Sequence, residues 1–366
     1  MENASNEDWD VLSGLFPVDW RKEAVLSGAV ERLRGFPSVD MLLRTLLLHV
    51  GKGFSLRETA VRAKLADWAD VSDVALLKRL RTSESWLRGL CLELLKEAGF
   101  SGPSAEGPNI RIVDGTIVRE PGKTGSQWRI LYAIRLPKLE CDFLEVTAAE
   151  GIGNGESFTR LPAQSGDLIL ADAAYCRLPG MVAMKQKGAD VLVRVNPATF
   201  VAYGSGKRRF ALLQQVRKIS RSGQVREWKI RLRGSGGEPM AGRLCVIRKS
   251  EQAIGRAQRR LQRRASKKQT ALDPQTLELA QYVLIFTTYE KGTAAQVLQW
   301  YRMRWQIELV FKRLKSLLRL GHLPKYDDRS SRAWLYGKLL IALLTQKLIR
   351  TGREIFPWGY NIRPTI

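Results

Sequence analysis

Apolar positions follow two different periods along the chain, and the change of period divides it. Over residues 1–100 they recur at helical spacing. Residues 40–50 form a tight apolar run. Ser55-Leu56-Arg57-Glu58 then sets a serine three residues before a glutamate, the pattern of a capping box. Ala60, Val61, Leu65 and Trp68 follow, and Ser72-Asp73-Val74-Ala75 opens a second short helix with Leu76, Leu77 and Leu80. Two short helices across a tight break resemble a helix-turn-helix, with Lys78, Arg79 and Arg81 on the second; a plain helical bundle is the alternative. Residues 99–107 are rich in Gly, Pro and Ser and read as a linker.

After the linker the pattern changes to strands. Residues 109–118, 127–136 and 141–148 predict three strands, and 168–171 a fourth. A helix over 178–187 and a fifth strand over 190–195 complete an α/β layout. Residues 210–216, 225–232 and 243–247 alternate like further strands between Gly-Ser breaks. A basic helix over 255–269, a strand over 282–287, long helices over 293–320 and 331–351 and an extended tail over 356–366 follow. The expected organisation is an N-terminal helical, DNA-binding segment (1–100) and a linker (101–108). The first part of an α/β core (109–204), a β-rich basic insertion (205–281) and the second part of the core with C-terminal helices (282–366) come next.

Composition narrows the function classes. Hydrophobic residues make up 45% of the 366, which excludes wholesale disorder. No apolar run reaches the roughly 18–20 residues of a membrane span, and residues 1–10 are acidic and polar, unlike a signal peptide. Cys91, Cys141, Cys176 and Cys245 match neither a zinc pattern nor a disulfide framework, so a cytoplasmic, thiol-reduced protein is expected. The net charge is +24, and residues 205–268 hold 20 basic and 3 acidic side chains. A field concentrated in this way suggests a polyanionic partner, nucleic acid foremost. Within that stretch Arg256, Arg259, Arg260, Arg263, Arg264, Lys267 and Lys268 fall on one face of the basic helix, with Ala257, Leu261 and Ala265 on the other. Such a face can track phosphates; a solvated charge run is the bland alternative.

Asp114 ends the apolar run Ile110-Arg111-Ile112-Val113, and Asp172 ends Leu168-Ile169-Leu170-Ala171. Two strands each ending in an aspartate suggest two carboxylates meeting at one sheet edge, where ligands bind in open α/β sheets. Each alone also reads as a strand-end turn residue. Asp142 and Asp167 compete for the role but stand in polar, turn-like contexts. Only two histidines occur, His49 and His322, and neither neighbours a candidate acid, so histidine acid–base chemistry is disfavoured. On the helix over 293–320, Tyr301, Arg304, Glu308 and Lys315 share about 60° of arc at about 100° per residue. Met303, Ile307, Val310, Leu314 and Leu317 form the opposite stripe, expected to be buried. In isolation this is an exposed face with an Arg304–Glu308 ion pair.

The spacing Tyr301-x2-Arg304-x3-Glu308-x6-Lys315 resembles the Y-(2)-R-(3)-E-(6)-K signature of IS4-family transposases. The stretches Trp305-Gln306-Ile307-Glu308-Leu309-Val310-Phe311 and Leu320-Gly321-His322-Leu323-Pro324 look like that family. Val113-Asp114-Gly115-Thr116 with Trp128-Arg129-Ile130 resembles its first-aspartate region. The stretch from Gly166-Asp167 to Tyr175 resembles its second, keeping the aromatic and lacking the family's basic residue after Asp172. The resemblance spans residues 110–350. It implies a ribonuclease H-like fold whose catalytic, metal-binding triad is Asp114, Asp172 and Glu308, with two Mg²⁺ ions for which Mn²⁺ can substitute. It further implies that Tyr301, Arg304 and Lys315 hold a DNA phosphate beside the cut, and makes Trp228 in the insertion a candidate for stacking on a flipped base; a core strand tryptophan is the bland reading. The function implied is a transposase that binds inverted repeats, cuts double-stranded DNA at the element's ends and joins the freed 3′-OH to target DNA. A homodimer on DNA in the bacterial nucleoid, without membrane attachment, belongs to that reading. A nuclease without strand transfer and a DNA-binding regulator derived from a transposase are the alternatives. The regulator predicts at least one broken acid, and all three are present.

Overall fold

A computed structural model describes residues 2–98, 107–120, 127–197, 199–204, 208–233, 239–321, 323–325 and 327–355. Residues 99–106, which hold most of the expected linker, His322 and the expected extended tail over 356–366 fall outside this set. Six helices lead the chain: α1 (Glu2–Ser13), α2 (Trp20–Leu26), α3 (Val39–Lys52), α4 (Leu56–Leu65), α5 (Asp73–Thr82) and α6 (Glu84–Glu97). Ser38, Ser55 and Ser72 each precede a helix and accept a backbone N–H from its third residue, Met41, Glu58 and Ala75. Caps of this kind contribute about 1 kcal/mol each. The Glu58 carboxylate turns forward to Arg62 at 3.0 Å. Of the three cations expected on the second short helix, only Lys78 is exposed. Arg79 donates to the carbonyl of Arg32, and Arg81 pairs with Asp327 at 3.0 Å.

The strands that follow join one nine-stranded sheet. β1 (Asn109–Arg119), β2 (Gln127–Arg135) and β3 (Glu140–Ala148) form an antiparallel meander. β4 (Asp167–Ala171) lies parallel to β1, and β5 (Asp190–Arg194) parallel to β4 after helix α7 (Leu178–Gln186). The order β3-β2-β1-β4-β5 is the ribonuclease H-like arrangement expected of the core. β6 (Ala202–Tyr203) and a short helix α8 (Leu212–Val216) come next. β7 (Val225–Leu232), β8 (Met240–Arg248), α9 (Glu251–Lys268), α10 (Pro274–Leu279) and β9 (Tyr282–Thr287) follow. The full order is β3-β2-β1-β4-β5-β9-β8-β7-β6, so the basic stretch extends the core sheet through β9.

Two expectations are corrected here. Residues 210–216 hold a helix and not a strand: Leu212, Leu213 and Val216 are spaced to close a turn that buries Val216. The helix expected over 293–320 is broken into α11 (Ala294–Arg302), a 3-10 turn over Met303–Trp305 and α12 (Gln306–Ser316). The last helix, α13 (Asp328–Ile355), packs along α6, α3 and α5. Gly337 lets it approach closely, since a Cβ there would stand 3.1 Å from the Val50 side chain. One apolar core joins the N-terminal helices, α12 and α13 to one face of the sheet; the other lies under α7 and α8 on the opposite face.

Charges are also buried within the sheet. Asp142 and Asp167, expected in turn-like contexts, have fully buried carboxylates. Arg111 on β1 reaches Asp142 at 2.5 Å and Asp167 at 3.1 Å; Arg135 on β2 reaches the same two at 2.8 and 3.0 Å. Asp167 also accepts from Asn109 and from the Gln164 backbone N–H. Neither aspartate is therefore available to bind a ligand. Removing one partner of a buried set strands the others, at a cost of about 3–5 kcal/mol. Asp167→Asn is expected to lose about that much stability in urea denaturation. Lys185→Ala, which breaks an exposed pair with Asp190, is expected to lose less than about 1 kcal/mol. A loss below 1 kcal/mol for Asp167→Asn contradicts the structural role.

Candidate active site

The pairing of β1 with β4 positions two acids. Ile112 beside Leu170 is the last pair of the parallel register; Asp114 lies two residues on within β1, Asp172 just past the end of β4, and their oxygens come within 4.8 Å. Asp114 accepts the Gly115 N–H at 2.8 Å and is 17% exposed. Asp172 leaves β4 in extended conformation and caps the 3-10 turn Ala173–Tyr175, accepting from the Ala174 N–H at 2.8 Å. Each carboxylate is thus aimed by a neighbouring backbone donor.

A third acid joins them, Glu156, from the connection between β3 and β4. Asp114, Glu156 and Asp172 each offer an oxygen, all within 4.8 Å of one another. Arg129 on β2 holds Glu156 at 2.6 Å. Gly115 makes the space: a Cβ there would lie 2.7 Å from Glu156 Oε1. Glu156 was not among the sequence-predicted residues. It lies in Gly151-Ile152-Gly153-Asn154-Gly155-Glu156, which carries only turn signals.

Glu308 lies across an arginine from this group. It projects from α12, 55% exposed, and forms an ion pair with Arg304 one turn earlier. Arg304 Nη1 lies 3.5 Å from Asp114 Oδ2, so the guanidinium stands between Glu308 and Asp114. The 3-10 turn that carries Arg304 advances at about 120° per residue, against about 100° in an α-helix. Over three residues this rotates α12 by about 60° relative to α11. The buried stripe therefore runs through Ile307, Phe311 and Leu314, with Phe311 edge-on to Tyr132 at 6.2 Å. Leu317, expected in the stripe, is 78% exposed. Tyr301 is half-buried, and burial, opposed by Arg304 and Arg194 and reinforced by the Asp172 charge, pushes its phenol up to about 12. Lys315 is exposed further along α12. Trp228 packs against Phe210 at 5.8 Å.

Burial pushes the Asp114 carboxyl up to about 7, against the Gly115 N–H and Arg304, with Asp172 and Glu156 adding repulsion. Burial also raises Glu156, opposed by Arg129 and reinforced by Asp172. Three hard oxygens at this separation, with the Asp114 and Glu156 charges disfavoured by burial, suit a small divalent cation that keeps some of its water. Elsewhere, Arg256, Arg259, Arg260, Arg263, Arg264, Lys267 and Lys268 are all exposed on α9, and none forms an ion pair among the described residues.

Residues 152–344 match the family described as the transposase DDE domain, a segment that includes Glu156, Asp172 and Glu308 but not Asp114. The chain is 30% identical to transposase InsL of insertion sequence element IS186A of Escherichia coli (strain K12), over 97% of each chain. It is likewise 30% identical, over 97% of each, to the transposase of insertion sequence element IS421 of Escherichia coli. Against the transposase of insertion sequence element IS231B of Bacillus thuringiensis subsp. berliner it is 24% identical, over 67% of this chain and 57% of that one.

The raised Asp114 pKa sets a pH dependence. A carboxyl that holds its proton more tightly when folded stabilises the native state most below its unfolded pKa, about 4. That contribution is lost as pH rises through about 7. Without divalent metal, Asp114→Asn is therefore expected to melt above wild type at pH 8, with the difference shrinking toward pH 5. Wild type that gains on Asp114→Asn as pH rises in metal-free buffer contradicts this electrostatic account.

Proposed function

This chain belongs to the DDE transposases of insertion sequences, and from that premise we propose that Asp114, Asp172 and Glu308 form its metal-binding triad for cutting and joining the ends of a mobile element. The protein is a DNA transposase, a divalent-metal-dependent enzyme that cleaves and joins DNA. The finer reading is two Mg²⁺ ions, with Mn²⁺ as a substitute. The observation that carries it is the placement of Asp114 and Asp172 just beyond the β1–β4 pairing, with oxygens within 4.8 Å and Arg304 between Asp114 and Glu308.

Asp114, Asp172 and Glu308 would hold such ions, which would supply activation of a water or 3′-OH and charge stabilisation of the leaving oxygen. The chain's own residues do the rest. Gly115 and Ala174 hold the two aspartates through backbone N–H bonds, so their oxygens are oriented before DNA arrives. Arg304 offers a planar fork that can exchange carboxylate partners for a phosphate. Tyr301 stays protonated at neutral pH, so its O–H could donate to a phosphate, and Lys315 adds a point charge further along α12. Together they would hold the backbone beside the cut.

In this reading the N-terminal helices and the 205–281 insertion bind DNA, with the seven cations of α9 along the phosphates. Inverted repeats at the two ends would be held by a homodimer, and the freed 3′-OH would attack target DNA. The setting is the bacterial cytoplasm, at the nucleoid. Among the described residues no helix is long and apolar enough to cross a membrane.

Two outcomes test this. On DNA carrying the element's own ends with Mg²⁺, Glu308→Gln is expected to lower single-turnover cleavage by about 10²-fold or more while binding stays within about twofold. Tight end binding by wild type with no cutting in Mg²⁺ or Mn²⁺ contradicts the triad. Replacing Arg259, Arg260, Arg263 and Arg264 by Gln is expected to flatten the slope of log K against log salt by up to about 4, since each phosphate contact contributes about 0.9. An unchanged slope means that α9 does not meet DNA.

A further inference from the structure

We propose that Glu156 is a fourth carboxylate of the metal centre, and that with Asp114 and Asp172 it holds a divalent cation before DNA binds. This rests on the metal-centre reading above and adds a ligand outside the proposed triad. Three observations carry it. First, of the acids near the site, Glu156 and not Glu308 shares the space between the aspartates, with oxygens all within 4.8 Å. A Mg²⁺ ion with ligands at about 2.1 Å sets adjacent oxygens about 3.0 Å apart and opposite ones about 4.2 Å apart, so side-chain shifts of about an ångström each close the set.

Second, the sequence and fold hold Glu156 in place. Arg129 on β2 fixes one oxygen at 2.6 Å, and the missing side chain of Gly115 leaves the room it fills. Third, a buried hydroxyl without a partner feels the charge of all three acids. Tyr175 is 1% exposed, and its Oη has no hydrogen-bond partner in the structure. Its charged neighbours are Glu156, Asp114, Asp172 and Arg129. A buried hydroxyl without a partner costs about 1–3 kcal/mol. A cation carrying ordered water between the carboxylates gives it one.

Glu308 enters differently. Its carboxylate is engaged by Arg304, which also faces Asp114. A DNA phosphate that draws Arg304 away frees Glu308 to approach the centre. Glu156 thus loads the first ion, and Glu308 completes the site on the substrate complex.

The test is direct Mn²⁺ binding to the full, DNA-free chain, read by electron paramagnetic resonance, with folding checked by circular dichroism. Glu156→Gln is expected to raise the Mn²⁺ dissociation constant at least about tenfold, and Gly115→Ala, which crowds Glu156 aside, to do the same. Glu308→Gln is expected to change it less than about threefold. If Glu308→Gln weakens binding and Glu156→Gln does not, the inference is overturned and the triad reading stands. If Asp114→Asn leaves binding unchanged as well, the metal centre itself is lost, and this inference with it.

Discussion

Two buried arginines shared between two buried aspartates tie four adjacent strands together. Arg111, Arg135, Asp142 and Asp167 come from β1, β2, β3 and β4, which lie side by side in the sheet. Arg111 and Arg135 stand directly opposite each other, a like-charged pair that is tolerable only with both aspartates between them. A buried set of this kind adds little net stability, because desolvation offsets most of its attraction. Its value here is register. A slip of one residue sends every side chain to the other face and strands charges in the core. Just beyond the β1–β4 pairing, Asp114 and Asp172 bring their oxygens within 4.8 Å.

At that point the chain gathers negative charge that it cannot neutralise alone. Asp114, Asp172 and Glu156 repel one another in a half-buried pocket, and Asp114 holds a proton up to about pH 7. Arg129 and Arg304 compensate from opposite sides. The two differ in what they can release. Arg129 is enclosed between β2 and Glu156, whereas Arg304 sits in a 3-10 turn between two carboxylates that a metal and a phosphate could each claim. Fold and function meet in that turn, because its rotation of α12 also buries Phe311 and turns Glu308 outward.

Much of this was legible in the sequence. Alternation marked the core strands and apolar runs ending in an acid marked Asp114 and Asp172, while helical spacing set Tyr301, Arg304 and Glu308 on one helix that the structure breaks at Met303–Trp305. The rest depended on partners distant in the chain. Asp167 looks like a turn residue until Arg111, 56 positions away, and Arg135 close over it. Glu156 follows a glycine-rich turn, and nothing local shows that Gly115 leaves a space for it. The 3-10 turn leaves no composition signal, since the apolar spacing from Met303 to Leu317 reads as one continuous helix. The misread strand at 210–216 was a true ambiguity, because Phe210 and Leu212 alternate while Leu212, Leu213 and Val216 fit a helix.

In the proposed mechanism, the strands build a metal-binding carboxylate centre that engages DNA through Arg304. The most direct measurement is an anomalous difference map at the manganese edge, from crystals of the chain with Mn²⁺ and end DNA. The mechanism predicts a manganese peak bridging Asp114 and Asp172, with Arg304 moved from Glu308 onto a backbone phosphate. A peak elsewhere, or an Arg304 still paired with Asp114 and Glu308 while DNA fills the site, would contradict it.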